Sequence, residues 1–209
     1  MVELTARDFE ILEVLTRSVR VLTLDQIART WWPSSRLANS NAIARLKLLG
    51  HSQLIKFHRA PAHPELPLEE PVWEWFPGQC TPEFGSLSYR LQSRWTMHPV
   101  MTTCIVASQI AANRFNGHGG RFPRTAERSH DIHLSKVYLR YRLNGLSEGW
   151  IFEEELRPEQ RRNSERLPDA ILKRDNGTKV IEFGGAYPKR KLELFHKHCS
   201  DRALAYEVW

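Results

Sequence analysis

The residues best suited to chemistry lie between Leu167 and Tyr187, in the stretch LPDAILKRDNGTKVIEFGGAY. Ala170 to Leu172 and Val180 to Phe183 are apolar runs. Asp175-Asn176-Gly177 between them is a hairpin signal, because Asn and Gly tolerate the positive φ of tight turns. Each expected strand carries one carboxylate, Asp169 behind a proline and Glu182 among hydrophobes. An acid in an apolar strand is costly unless a cation, a backbone amide or a metal pairs with it. Two acids on neighbouring strands can meet at one oxygen-rich site, with Asp169 and Glu182 as ligands of Mg²⁺ or Mn²⁺. A second arrangement explains the same residues without metal. In it Asp169 caps a turn and Glu182 pairs with Lys173 or Arg174 across the hairpin.

Bulk properties narrow the classes. A chain of 209 residues forms one large domain or two small ones. Its 30 Lys and Arg against 24 Asp and Glu give +6, a basic excess compatible with nucleic acid. No apolar run approaches the roughly 20 residues of a membrane span, so no membrane partner is expected. Cys80, Cys104 and Cys199 are far apart without CxxC spacing, which argues against a disulfide framework or structural zinc. The acidic, amphipathic start is not a signal peptide, and a cytoplasmic location is the expectation.

Ahead of the hairpin, three helices are expected. Thr5 with Asp8 caps the first, whose apolar face is Phe9, Ile11, Leu12 and Leu15. Thr23 opens a second from Leu24 to Trp31, and a third runs from after Ser35 to about Leu49, stopped by Gly50. Leu54 to Phe57 reads as a strand with Val72 to Phe76 as its partner across a proline-rich loop. Opposite the buried Ala38, Ala42, Leu46 and Leu49, the third helix carries Arg36, Asn39, Ser40, Asn41, Arg45 and Lys47. Arg and Asn suit guanine and adenine edges, whereas Ser and Lys suit phosphates. Lys56 and Arg59 add phosphate contacts, while Glu65, Glu69 and Glu70 make an acidic loop tip.

The middle of the chain reads as helical, from Pro82 to Trp95 and from Pro99 to Phe115, and it offers a surface for a homodimer. Glu127 to Leu143 is a further helix, and Trp150 to Leu156 a strand whose alternation sets Glu154 opposite Glu153 and Glu155. After the hairpin come a helix from Pro188 to Cys199 and a final strand from Ala203 to Trp209.

Three helices followed by a two-stranded hairpin resemble the winged helix-turn-helix, in which the third helix enters the major groove of duplex DNA. Helix, three strands, helix and strand, with Pro168-Asp169 and Glu182 in place, resemble the PD-(D/E)XK nuclease-like fold over residues 127–209. With SHDIHLSKVYLRYR ahead of the first strand, the combination resembles the replication-relaxation group of plasmid and mobile-element proteins. The implied organisation is α/β (α+β overall): a winged helix over 1–78, a helical linker over 79–126 and a nuclease-like domain over 127–209. The resemblance implies that Asp169 and Glu182 hold the divalent metal. It puts Gly184 where active members carry a lysine, so Lys189 or Lys191 would have to supply that cation, and Glu153, Glu154, Glu155 or Glu127 a further acid.

Losing one preorganised cation costs a few kcal/mol of transition-state stabilisation. The residues therefore leave two DNA-directed functions open. One is a DNA-binding protein, a regulator or plasmid-maintenance factor, whose nuclease-like domain is degenerate. The other is a metal-dependent DNA endonuclease using Asp169 and Glu182. A third reading is a protein-interaction module built on Trp31, Trp32, Trp73 and Trp75.

Overall fold

The computed structural model describes residues 2–160, 167–175 and 177–209, with backbone alone for 158–160. In chain order its elements are α1 (Ala6–Arg17), β1 (Leu22–Thr23), α2 (Leu24–Trp31), α3 (Ala38–His51), β2 (Ile55–Ala62), β3 (Trp73–Trp75), α4 (Phe84–Ser93) and β4 (Val100–Ala107). There follow α5 (Gln109–Arg114), α6 (Thr125–Leu143), β5 (Trp150–Phe152), α7 (Glu153–Gln160), β6 (Ala170–Arg174), β7 (Gly177–Glu182), α8 (Lys189–Ser200) and β8 (Ala205–Val208). The fold is mixed α and β. No helix among the described residues is long and apolar enough to cross a membrane.

The chain divides into two units, Met1–Glu65 with Pro99–Asn144 and Leu66–His98 with Gly145–Trp209. It therefore passes between them three times, in contrast to the sequential boundaries 1–78, 79–126 and 127–209.

Unit 1 is built on an antiparallel sheet of order β1-β4-β2. The first two helices start where the sequence places them. Thr5 and Asp8 form a reciprocal capping box, and Thr23 and Gln26 form another. Ile11, Leu12, Leu15, Ile27, Leu46 and Leu49 are fully or almost fully buried. The helix α3 runs through Gly50, and the left-handed residue that ends it is Gln53 (φ 57°), with Leu54 N bonded back to Leu49 O. Gly50 instead serves packing, since a Cβ there would lie 3.2 Å from the Phe57 ring.

Two expected elements are corrected. The partner of β2 is β4, with Ile55 opposite Ala107 and Ala62 opposite Val100, and not the Trp73 segment. Val100–Ala107, expected as helix, is a strand: its Val, Thr, Thr, Ile and Val are β-branched residues that pack well on a pleated surface. Val21, Ala62, Cys104, Val106 and Ile132 form a small core with Phe122 beside it. Buried hydrogen bonds tie α6 to this unit, Gln26 Nε2 to Ile132 O (2.8 Å) and Ser135 Oγ to Val21 O (2.6 Å).

Unit 2 carries a five-stranded sheet of order β3-β8-β7-β6-β5, in which only β7 and β8 run parallel. The expected hairpin forms, with Arg174 opposite Gly177 (φ 130°), and Asn176 between them lies outside the described residues. The polar loop expected before it falls largely on residues 161–166, also outside them. Trp73 pairs with Val208 and Trp75 with Tyr206, so β3 is an edge of this sheet. Glu83 caps α4 by accepting from Gly85 N at 3.0 Å. One core gathers α4, α8 and the sheet through Trp75, Leu87, Leu91, Phe195, Tyr206 and Val208. The strand expected from Trp150 to Leu156 stops at Phe152, because Glu153, Glu154 and Glu155 form the first turn of α7, where acids suit the helix dipole.

Candidate functional site

In unit 2 the two singled-out carboxylates do meet. Ala170 pairs with Ile181, so Asp169 and Glu182 stand one step beyond, facing each other at the open end of the hairpin. Each accepts a backbone N–H from the opposite strand. Phe183 N donates to Asp169 Oδ2 at 2.8 Å, and Asp169 N donates to Glu182 Oε2 at 3.4 Å. The other oxygen of Glu182 accepts the Tyr187 hydroxyl at 2.7 Å. Glu182 is 2% exposed and Tyr187 9%. This partner corrects the expectation of Lys173 or Arg174. Lys173 sits opposite Thr178, and Arg174 donates to Leu146 O.

The supporting residues do not complete a metal centre. Among the described residues no group of three His, Cys, Asp or Glu side chains is placed to hold an ion. A magnesium ion bound through one or two carboxylates keeps several waters, and a carboxylate as covered as Glu182 leaves them little room. Glu154 lies on α7 rather than on a strand, and its neighbour Glu153 is taken by Arg157 at 2.8 Å. Lys189 begins α8 as an exposed residue 3.8 Å from Glu193. Lys191 comes nearer, with its Nζ 3.2 Å from the centre of the Tyr187 ring.

Gly184, where the resemblance expects a lysine, has no room for a larger side chain. A Cβ on Gly184 would lie 2.8 Å from a Val208 methyl and 2.9 Å from both Leu91 methyls. The space beside Gly184 is taken. Leu91, brought in by α4, fills it, and the sequence held no sign that this distant segment packs there. Arg94 on the same segment bonds Trp209 O at 2.7 Å and lies over the Phe183 ring, with burial pulling its pKa down to about 10. The pair of tryptophan motifs separates likewise. Trp31 and Trp32 belong to unit 1, whereas Trp75 is buried in the core of unit 2.

In unit 1 the expected nucleic-acid residues fall into two sets. Arg36, Ser40, Lys47, Lys56 and Arg59 are exposed. Asn39 and Asn41 are exposed too, but Asn39 bonds Asp25 on α2 and Asn41 bonds Ser35, both at 3.0 Å. Arg45 is engaged within the unit. Its Nε donates to both oxygens of Asp8, at 2.9 and 3.1 Å, and its Nη2 to Asp8 and to Glu3 O. Asp8 is fully buried. Burial alone would raise its carboxyl, but hydrogen bonds from Arg45 and Thr5 outweigh that and hold it below the usual range. The guanidinium thus clamps α3 onto the start of α1 instead of facing outward. The acid Glu65, expected at a loop tip, is paired with Arg29 at 2.5 Å and Lys136 at 3.7 Å. Cys104 is a buried core thiol, pushed up to about 11 by its burial.

Comparison with known protein families, with curated proteins and with solved structures finds no match to this chain.

Proposed function

We propose that this chain binds duplex DNA through unit 1, with α3 as the helix presented to the major groove and Lys56 and Arg59 on β2 meeting flanking phosphates. The observation that carries the reading is the path α1-β1-α2-α3-β2 closed by β4 in a sheet of order β1-β4-β2. That path matches the winged-helix resemblance better than the expected Trp73 pairing did. The exposed cations Arg36, Lys47, Lys56 and Arg59 supply the sequence-independent part of binding.

Unit 2 is read as a nuclease-like scaffold without turnover. The succession β5-α7-β6-β7-α8-β8 with β8 parallel to β7 supports the PD-(D/E)XK resemblance. The filled lysine position and the covered Glu182 support the absence of turnover. A regulator or maintenance factor of a plasmid or mobile element is the corresponding role. The test is anisotropy of a labelled duplex with the full chain across a salt series. A log–log slope of about −0.9 per phosphate contacted is expected. Absent or salt-insensitive binding overturns the reading.

A second reading, a metal-dependent endonuclease, is favoured by one observation, the face-to-face placement of Asp169 and Glu182. Supercoiled plasmid incubated with Mn²⁺ decides it. Nicking that Asp169→Ala and Glu182→Ala each abolish establishes it, and intact plasmid removes it.

A further inference from the structure

The outward face of α3 carries exposed apolar residues among its polar ones. Leu37, Asn41, Ala44 and Leu48 follow one another at helical spacing, with Ser40 and Lys47 alongside. Leu37 is 64% exposed and Leu48 48%. They lie away from the buried Ala42, Leu46 and Leu49, so the core of unit 1 does not account for them. The helix has one arginine, Arg45, and it is turned inward onto Asp8 and Glu3.

In the major groove a guanine offers O6 and N7 to a bidentate Arg or Lys, an adenine offers N7 and N6 to Asn, and thymine alone offers a methyl group. The N-terminal residues of a recognition helix meet the base edges. At the start of α3 these are Leu37, Ser40, Asn41 and Ala44, with Lys47 and Leu48 one turn further along. Asn41 gives one amide hydrogen to Ser35, which leaves its carbonyl and second hydrogen for a base edge. We infer that α3 is built to read A·T base pairs, packing thymine methyls against Leu37, Ala44 and Leu48 and adenine edges against Asn41. The inference rests on the duplex reading above. The exposed cations at the start of α3 and on it, Arg36 and Lys47, commit the surface to a polyanion rather than to an apolar partner protein.

The experiment takes the full chain and a pool of duplexes with randomised central base pairs. Retained duplexes are sequenced, and the enriched one is resynthesised with deoxyuridine in place of thymidine, which removes only the methyl groups. An A·T-rich core is expected. Each methyl that meets the stripe should cost about fourfold in affinity on removal, the value of one buried methyl-sized group. In a Leu48→Ser protein, an exposed change that leaves the core untouched, the thymine-over-uracil preference should vanish at one base pair while the salt slope stays the same. A G·C-rich or unenriched core, or equal binding of the uracil duplex, overturns this inference and leaves duplex binding standing. If no duplex is retained even at low salt, the duplex reading itself falls.

Discussion

Tyr187 donates its hydroxyl to Glu182 across 2.7 Å inside unit 2, so the acid that looked like a metal ligand already has an internal partner. Removing that donor leaves a buried carboxylate oxygen short of a hydrogen bond. Tyr187→Phe is expected to destabilise the protein by about 2 kcal/mol, measured by urea titration. If Tyr187 only covers a latent ion site, Mn²⁺ will raise the midpoint of the variant more than that of the parent. If it is the partner Glu182 was built for, Mn²⁺ will shift neither.

Gly184 is the residue where backbone approach is decided by side chains of distant segments. Gly184→Ala should cost about 1–3 kcal/mol through overpacking against Leu91 and Val208. Combined with Leu91→Ala, the loss should be smaller than the sum of the two single changes, because the second removes one source of the clash. Strict additivity in denaturation would mean that the two residues do not share this space. Gly184→Lys is expected to give no plasmid cleavage.

Arg45 and Asp8 form the clamp between α3 and α1. Arg45→Ala leaves a fully buried carboxylate without its cation and should cost about 3 kcal/mol of stability. The pH dependence follows in sign. Asp8 has a lower pKa folded than unfolded, so its contribution is present above about pH 4 and is lost as pH falls through the folded value. Thermal melts of the parent against Asp8→Asn should converge on acidification. Parallel curves would remove Asp8 as the source.

His58 and His196 have pKa values lowered chiefly by burial, His58 with further help from Lys56 and Arg128. His58 is stacked on Phe122, and His196 lies edge-on to Trp75 with its Nδ1 2.9 Å from the Tyr206 hydroxyl. The unfolded chain binds these protons more readily, so stability should decline as pH drops below about 6.5. His196→Gln should flatten that decline. An unchanged slope would assign it elsewhere.

The exposed lysines give a kinetic-free check on the interface. Lys47→Ala and Lys56→Ala should each reduce the salt slope of duplex binding by about one unit and weaken all duplexes alike. Arg45→Ala should lower affinity only in proportion to the unit 1 unfolding it causes. A base-specific loss at Arg45 would contradict the inward orientation of its guanidinium.

Local signals in the sequence determined the elements whose cause is itself local. The capping boxes at Thr5 and Thr23 are written in residues three apart, and so is the start of α4 at Glu83. The β6–β7 hairpin, with Asp169 and Glu182 facing each other, followed from a turn signal and the apolar runs on either side. What failed were the decisions made by residues far apart in the chain. Whether β2 pairs with β3 or with β4 depends on which strand the core of unit 1 accepts, and Val100–Ala107 lies some forty residues downstream of β2. The orientation of Arg45 was set by Asp8, thirty-seven residues away. The glycine at position 184 was visible, but the demand for it, Leu91 filling the space, existed only once α4 had packed beside the end of β7. Spacing within one element fixes which face a side chain takes, and only tertiary packing decides what meets it there.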